Sequence, residues 1–387
     1  MGFTWQLIND SITDSDKKAL TDFINVPNQR FTNGVKVKEF EKAWSEYVGC
    51  EYSVFVNSGA SANYIMTSIM KETHGLGEVI VSPLGWVSDV APLVNLGFTP
   101  VFVDVSMENM SITLDNIKAA VTEKTVGVCL VHVLGFNAIS DEMVKFCKDN
   151  DLFLMEDCCE SHGATHNGIK VGTFGDVSNF SFYFGHHITT IEGGIVCTNN
   201  STICDYAKLF RSHGMTREAS PSLMDTYADK YPDLNPLFTF SVPGYNFRNQ
   251  EINAVLGLEQ LERLDFNCEQ RSKNFKVWLN SLTPTKFRVN FDQNGNSNFA
   301  LPLILQEKDL ELFENCCKLL TDEGVEYRVG TAGGGNQARQ PYLEPYQVVS
   351  HDLSNVDHIH NFGLYIGNHP ELTVEQIVNL CGELNTL

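Results

Sequence analysis

Through the first half of the chain, short apolar runs alternate with amphipathic stretches, and this alternation limits the possible folds more than any other feature. Residues 53–56, 78–81, 101–105, 126–133, 152–155, 180–182 and 194–197 are runs of strand length, and helix-period segments such as 61–71 and 140–149 lie between several of them. Apolar strands separated by helices predict an α/β layer around a mostly parallel sheet buried on both faces. Such sheets bind ligands beyond the carboxyl ends of their strands, so the loops after those runs are where chemistry is expected.

A second region begins near Gly244. Segment 250–264 carries apolar residues at Ile252, Ala254, Val255, Leu256, Leu258, Leu261 and Leu264, more than one helical stripe. It reads as a helix buried between domains or subunits. Strands at 299–305 and 325–329 and helices at 309–321 and 373–384 then predict a smaller α+β unit. The division is drawn as a large domain over 1–245 and a small one over 246–387.

Of the 387 residues, 48 are acidic and 27 are Lys or Arg, a formal charge of −21. That balance argues against nucleic acid or an anionic membrane as partner, because clustered positive charge drives both kinds of binding. The first ten residues lack a basic stretch followed by an apolar one, and the longest nearly apolar run, 126–136, is too short to span a bilayer. The expectation is a soluble, cytoplasmic protein. Eleven cysteines contain no Cys-x-x-Cys pair, so most are expected as buried small hydrophobes in a reducing compartment, with no metal site.

Three loops carry chemistry. Asn57-Ser58-Gly59-Ala60-Ser61-Ala62, between a strand and a helix, leaves backbone N–H groups free at a helix N-terminus and could cradle a phosphate or serve only as a cap. Glu156-Asp157-Cys158-Cys159-Glu160-Ser161-His162-Gly163-Ala164 follows an apolar run; Asp157 could face a protonated ring nitrogen or lie in a solvated turn. Ser181-Phe182-Tyr183-Phe184-Gly185-His186-His187-Ile188-Thr189-Thr190-Ile191-Glu192-Gly193-Gly194 places paired imidazoles, suited to acid/base work, beside small and hydroxylic residues. Adjacent histidines point apart, and no further ligands stand nearby to hold a metal.

In order and spacing these loops resemble the DegT/DnrJ/StrS-type sugar aminotransferases of the aspartate aminotransferase (type I) pyridoxal phosphate fold. The stretches Thr32 to Glu41, Phe102-Val103-Asp104-Val105 and Gly244-Tyr245-Asn246-Phe247-Arg248-Asn249-Gln250-Glu251 agree with that resemblance, which weakens beyond residue 265 through Arg328 and Gly330-Thr331. One departure stands out. Where the aminotransferases read roughly Ser-Phe-x-x-x-Lys-x-x-Thr-Thr-Gly-Glu-Gly-Gly, counting from Ser181 puts His186 at the cofactor-bearing lysine. An imidazole cannot hold the cofactor covalently. With that histidine the chain is similar to the family's 3-dehydratases of 4-keto-6-deoxy nucleotide sugars, and it lacks the Cys-x-Cys of the iron–sulfur members, so no cluster is expected.

The resemblance implies residue roles. Ser58, Gly59, Ala60 and Ser181 would hold the cofactor phosphate, joined by Asn246 from the neighbouring subunit of a homodimer. Trp86 would stack on the pyridine, Asp157 would pair with its nitrogen, and Glu160 would lie near the ring oxygen. His186 would be the base at the 4′ carbon. His213, Arg217, Arg248 and Arg328 would bind the nucleotide sugar or glutamate, salt bridges being the alternative for the arginines; His187 would be structural. The implied reaction uses L-glutamate to form pyridoxamine phosphate, expels the C3 hydroxyl of a 4-keto-6-deoxy sugar, GDP-4-keto-6-deoxy-mannose as first choice, and releases ammonia. A plain 4-aminotransferase and a silent nucleotide-sugar-binding homologue stay open at this point. The Gly-rich loop 332–335 is longer than the family pattern and bears on substrate access.

Overall fold

The computed structural model describes residues 3–330 and 334–387; Thr331 and the first two residues of the 332–335 loop lie outside them. Near the start, α1 (Asp14–Ile24) and α2 (Val35–Val48) precede the first strand. The strands of the large layer are β1 (Tyr52–Val56), β2 (Glu78–Val81), β3 (Thr99–Phe102), β4 (Thr125–Val131) and β5 (Phe153–Asp157), then, after the hairpin β6 (Thr165–His166) and β7 (Ile169–Lys170), β8 (Val177–Ser181) and β9 (Gly194–Thr198). Between them run α3 (Gly59–His74), α4 (Val87–Leu96), α5 (Leu114–Ala120) and α6 (Asp141–Asp149). The remaining elements are α7 (Ser201–Arg211), α8 (Pro221–Lys230), α9 (Glu251–Leu261), α10 (Leu264–Ser281), β10 (Ala300–Ile304), α11 (Leu310–Asp322), β11 (Tyr327–Val329), β12 (Val349–Ser350), α12 (Ser354–Phe362), β13 (Gly363–Gly367) and α13 (Val374–Thr386).

The eight-stranded sheet runs β1-β9-β8-β5-β4-β2-β3-β12. Every pair from β8 to β12 is parallel, and only β1–β9 and β8–β9 are antiparallel. This is the mostly parallel layer predicted from the alternation, and the second region forms the antiparallel sheet β10-β13-β11. Both faces are apolar, because residues alternate between two cores: Val54, Val56 and Val196 join α3 on one side, while Phe55, Ile195 and Cys197 meet Phe40, Trp44 and Ala254 on the other. Trp44 packs edge-on against Phe180 and Phe182, with ring centroids 5.1 and 4.8 Å apart, and so braces the loop that follows β8.

Two features differ from the sequence reading. The expected helix 250–264 ends at Leu261, and a new helix begins at Leu264. The first of these, α9, packs against both α2 and α1. The two-residue strand β12 adds the edge of the large sheet beside β3, although it comes from the C-terminal part of the chain. Among the described residues no helix is long and apolar enough to cross a membrane.

Candidate active site

A cavity of about 300 Å³ opens at the carboxyl ends of β1, β4, β5 and β8. Its lining brings together Ser58, Gly59, Ala60, Trp86, Asp157, Glu160, Ser181, His186 and Arg328, nine of the residues singled out from sequence.

One wall is the start of α3. Ser58 is its N-cap, with Oγ accepting from Ser61 N at 3.0 Å, so the first N–H groups, those of Gly59 and Ala60, face the cavity at the positive end of a 16-residue helix. Close packing explains the glycines. A Cβ on Gly59 would lie 2.7 Å from Ser181 Cβ, and one on Gly194 would lie 2.3 Å from the Ser58 carbonyl. The chain therefore passes directly beneath a backbone cradle suited to an anion.

The floor is acidic. Asp157 ends β5, is 4% exposed, and accepts from Cys159 N at 2.9 Å through one oxygen and from Asn63 Nδ2 at 2.7 Å and Asn179 Nδ2 at 3.3 Å through the other. No Lys or Arg forms an ion pair with it among the described residues. Burial pushes the nearby Glu160 carboxyl up to about 7, aided by the charge of Asp157 and opposed by Leu134 N–H and by Arg328. Asp89, which the sequence reading missed, also lines the floor. Trp86, 52% exposed, overhangs from the loop before α4.

The loop between β8 and β9 presents His186. Thr189 Oγ1 donates to Phe182 O at 3.1 Å and receives Ile191 N–H at 2.8 Å, while Asn253 Nδ2 donates to Thr190 O at 2.6 Å. Ile191 occupies φ 70°, a left-handed conformation that explains why the aminotransferase pattern has glycine there. His186 Nδ1 is buried without a partner. Burial pushes this imidazole down to about 4 despite the pull of Asp157, and the buried Arg271 cation adds to the depression. It is therefore neutral at neutral pH and free to accept a proton. His187 turns away and meets Ser297 O and Oγ at 3.1 Å.

Asn246, His213, Arg217 and Arg248 do not line this cavity. They occupy two linked segments: His213 N donates to Tyr245 O at 2.6 Å, Ser212 pairs with Asn246, and Arg248 pairs with Val56. Arg217 lies over the Phe238 ring at 4.9 Å.

His132, Glu156 and Cys158 are the one close group of potential metal ligands among the described residues. Glu156 already accepts from the N–H groups of Gly172, Phe174 and Gly175. His132 Nδ1 accepts from Ala138 N, which leaves Nε2 to donate to Glu156 at 3.3 Å. These hydrogen bonds occupy the lone pairs a metal would use.

Three observations fit pyridoxal phosphate: the glycine-lined cradle at a helix N-terminus, a buried carboxylate with no cation beside it, and an unpartnered imidazole nitrogen across the cavity. Fold and cavity together define the aspartate aminotransferase type of pyridoxal phosphate fold. The chain belongs to the DegT/DnrJ/EryC1/StrS aminotransferase family, whose model matches residues 10–385. It is 33% identical over 361 residues to the GDP-4-keto-6-deoxy-D-mannose 3-dehydratase of Yersinia pseudotuberculosis, covering 92% of each chain. Its structure superposes on the E. coli GDP-4-keto-6-deoxy-D-mannose-3-dehydratase with bound hydrated PLP at a TM-score of 0.90 and 28% identity, covering 99% of this chain and 100% of the other. A GDP-4-keto-6-deoxymannose-3-dehydratase mutant with bound GDP-perosamine matches with the same score and identity over 98% of this chain and 100% of its own.

Proposed function

We propose that this chain is a pyridoxal/pyridoxamine phosphate-dependent 3-dehydratase of a 4-keto-6-deoxy nucleotide sugar, with GDP-4-keto-6-deoxy-mannose as first substrate and glutamate as amino donor. The observation that carries the reading is His186: a neutral imidazole with a free nitrogen stands in a cavity whose described lining contains no lysine.

When bound, the cofactor supplies an amine for the 4-keto group and a ring that takes up electrons. Ser58, Gly59, Ala60 and Ser181 hold its phosphate, Asp157 its pyridine nitrogen, and Trp86 its face; Glu160 lies toward the ring oxygen. His186 accepts and returns the proton at the 4′ carbon, the task lysine performs in aminotransferases. Without a lysine the cofactor stays non-covalently bound, so no side-chain amine competes to displace the product. Arg328 at the cavity rim meets an anionic group of the substrate.

A homodimer completes the site. Trp86 and Tyr183, which line the cavity, are 52% and 47% exposed, and Asn246, His213, Arg217 and Arg248 lie outside this chain's own cavity. Both facts support a second copy seated over the opening. All eleven cysteines are free, which supports a reducing, cytoplasmic setting.

The test incubates protein, pyridoxal phosphate, glutamate and GDP-4-keto-6-deoxy-mannose. Ammonia with a 3-deoxy-4-keto product is expected; a stable 4-amino sugar would mean an aminotransferase, and no turnover of any 4-keto nucleotide sugar would mean a silent homologue.

A further inference from the structure

Asp89 has no part in the reaction described above, yet it stands inside the cavity. The residue is 5% exposed, and Gly85 leaves room for its carboxyl: a Cβ there would lie 2.5 Å from Asp89 Oδ2. That oxygen accepts from Trp86 N at 2.9 Å. Asn63 Nδ2 reaches Asp89 Oδ1 at 3.4 Å and Asp157 Oδ2 at 2.7 Å, so one amide bridges the two acids, which are themselves within hydrogen-bonding reach.

Two buried carboxylates in contact, with no cation paired to either among the described residues, cannot both ionise. The donor count decides which keeps its charge. Asp157 receives N–H groups from Cys159, Asn63 and Asn179, whereas Asp89 receives one close N–H, from Trp86, and a long one. The other groups facing Asp89 do not supply a balancing charge. Glu160, Cys129, Cys159 and Tyr342 are acids or neutral, and burial with the charge of Asp157 raises Asp89 well above the usual carboxylate range.

We infer that Asp89 is a positioning residue that stays protonated and donates to Asp157, so that one side chain ties the pyridine-facing carboxylate to the backbone of the ring-stacking tryptophan. The inference rests on the proposed cofactor-binding roles of Asp157 and Trp86.

The cofactor-free protein reads the shared proton directly. In the folded chain Asp89 is protonated and in the unfolded chain it is ionised above about pH 4, so folding takes up one proton. Relative to Asp89→Asn, the folding constant of the wild type should fall about tenfold per pH unit between pH 5 and 8. Parallel pH dependences would overturn the inference. If Asp89→Asn does not fold, infrared spectra of the wild type above pH 8, where Glu160 has ionised, should still show the carbonyl band of a protonated acid, and its absence would overturn the inference. Pyridoxal phosphate titrations add the positioning readout. Asn can still accept from Trp86 N–H and donate to Asp157, so Asp89→Ala should bind at least tenfold more weakly than Asp89→Asn, and equal affinities would overturn the positioning role. Failure of the wild type to bind pyridoxal phosphate would instead strike the cofactor reading, with the one-proton difference still standing for Asp89 itself.

Discussion

Replacing His186 with Asn should slow dehydration by about 100-fold or more while leaving the cofactor bound. The imidazole is neutral at pH 7, since with its titration pushed down to about 4 only about one molecule in a thousand is protonated there. Its Nδ1 has no partner to lose, and its ring touches Phe299 at a centroid distance of 5.4 Å, so the substitution removes a base and a modest packing contact. Asparagine has no proton-accepting nitrogen near neutrality. A positioned general base contributes about 100- to 10,000-fold, or about 3–5 kcal/mol of barrier, and kcat should fall within that range. Coupled detection of ammonia and mass analysis of the sugar give the rate, and the absorbance of bound pyridoxal phosphate shows whether the site is intact. A loss smaller than tenfold, or a loss of activity that tracks a loss of cofactor, would refute the assignment of His186 as base.

Other outcomes follow from the same geometry. Borohydride added to the cofactor-loaded protein should leave no pyridoxyl group on the chain by mass spectrometry, and an adduct on any lysine would contradict the non-covalent site. The His186→Asn variant also tests the cost of burying the ring. The folded-state imidazole titrates near 4 and the unfolded one near 6.5, so the wild type loses stability as pH falls through that window. Relative to the variant that loss should reach about 3 kcal/mol at pH 4 in denaturant titrations, and equal slopes would show that the ring is solvated. Gly194→Ala should cost about 1–3 kcal/mol by overpacking and weaken pyridoxal phosphate binding at least tenfold, because the added Cβ lands on the Ser58 carbonyl. Unchanged cofactor affinity would show that the cradle can move without consequence.

The large sheet was legible because each buried strand is a local apolar run, and the three loops were legible because their small, acidic and imidazole residues are contiguous. Harder to see were contributions that arise only when distant segments meet. Asp89 reads as an ordinary acid in the first turn of α4; its position near Asp157 depends on how α4 packs against α3, whose Asn63 amide reaches both acids. Arg271 lies on a helix with little apolar stripe, and only the fold buries it, donating to Phe299 O and Asn368 O, near the histidines. Glu251 was visible as part of a motif but its purpose was not. Its carboxylate accepts from the N–H groups of Gly34, Lys36 and Val37 at 2.9 to 3.0 Å and so caps α2, which joins two motifs more than 200 residues apart. The strand β12 is two residues long and has no period to detect.

Charge gives the strongest reason to look beyond one chain. Among the described residues lining the cavity, Arg328 is the only Arg or Lys, against Asp89, Asp157, Glu160 and Glu192, in a protein of formal charge −21. A nucleotide diphosphate would meet little positive potential there, even with the end of α3 reserved for a phosphate. Arg217, Arg248 and His213 lie on the paired segments outside the cavity, and in the proposed two-fold dimer each copy's segments serve the other's opening. Mixing two inactive variants, His186→Asn and Arg248→Ala, under conditions that exchange subunits distinguishes the arrangements. If the arginine acts across the interface, half of the dimers are mixed and each has one fully native site, so about a quarter of wild-type activity should return. If Arg248 serves its own chain's cavity, every site in the mixture carries one defect and no activity returns, which would refute the shared site.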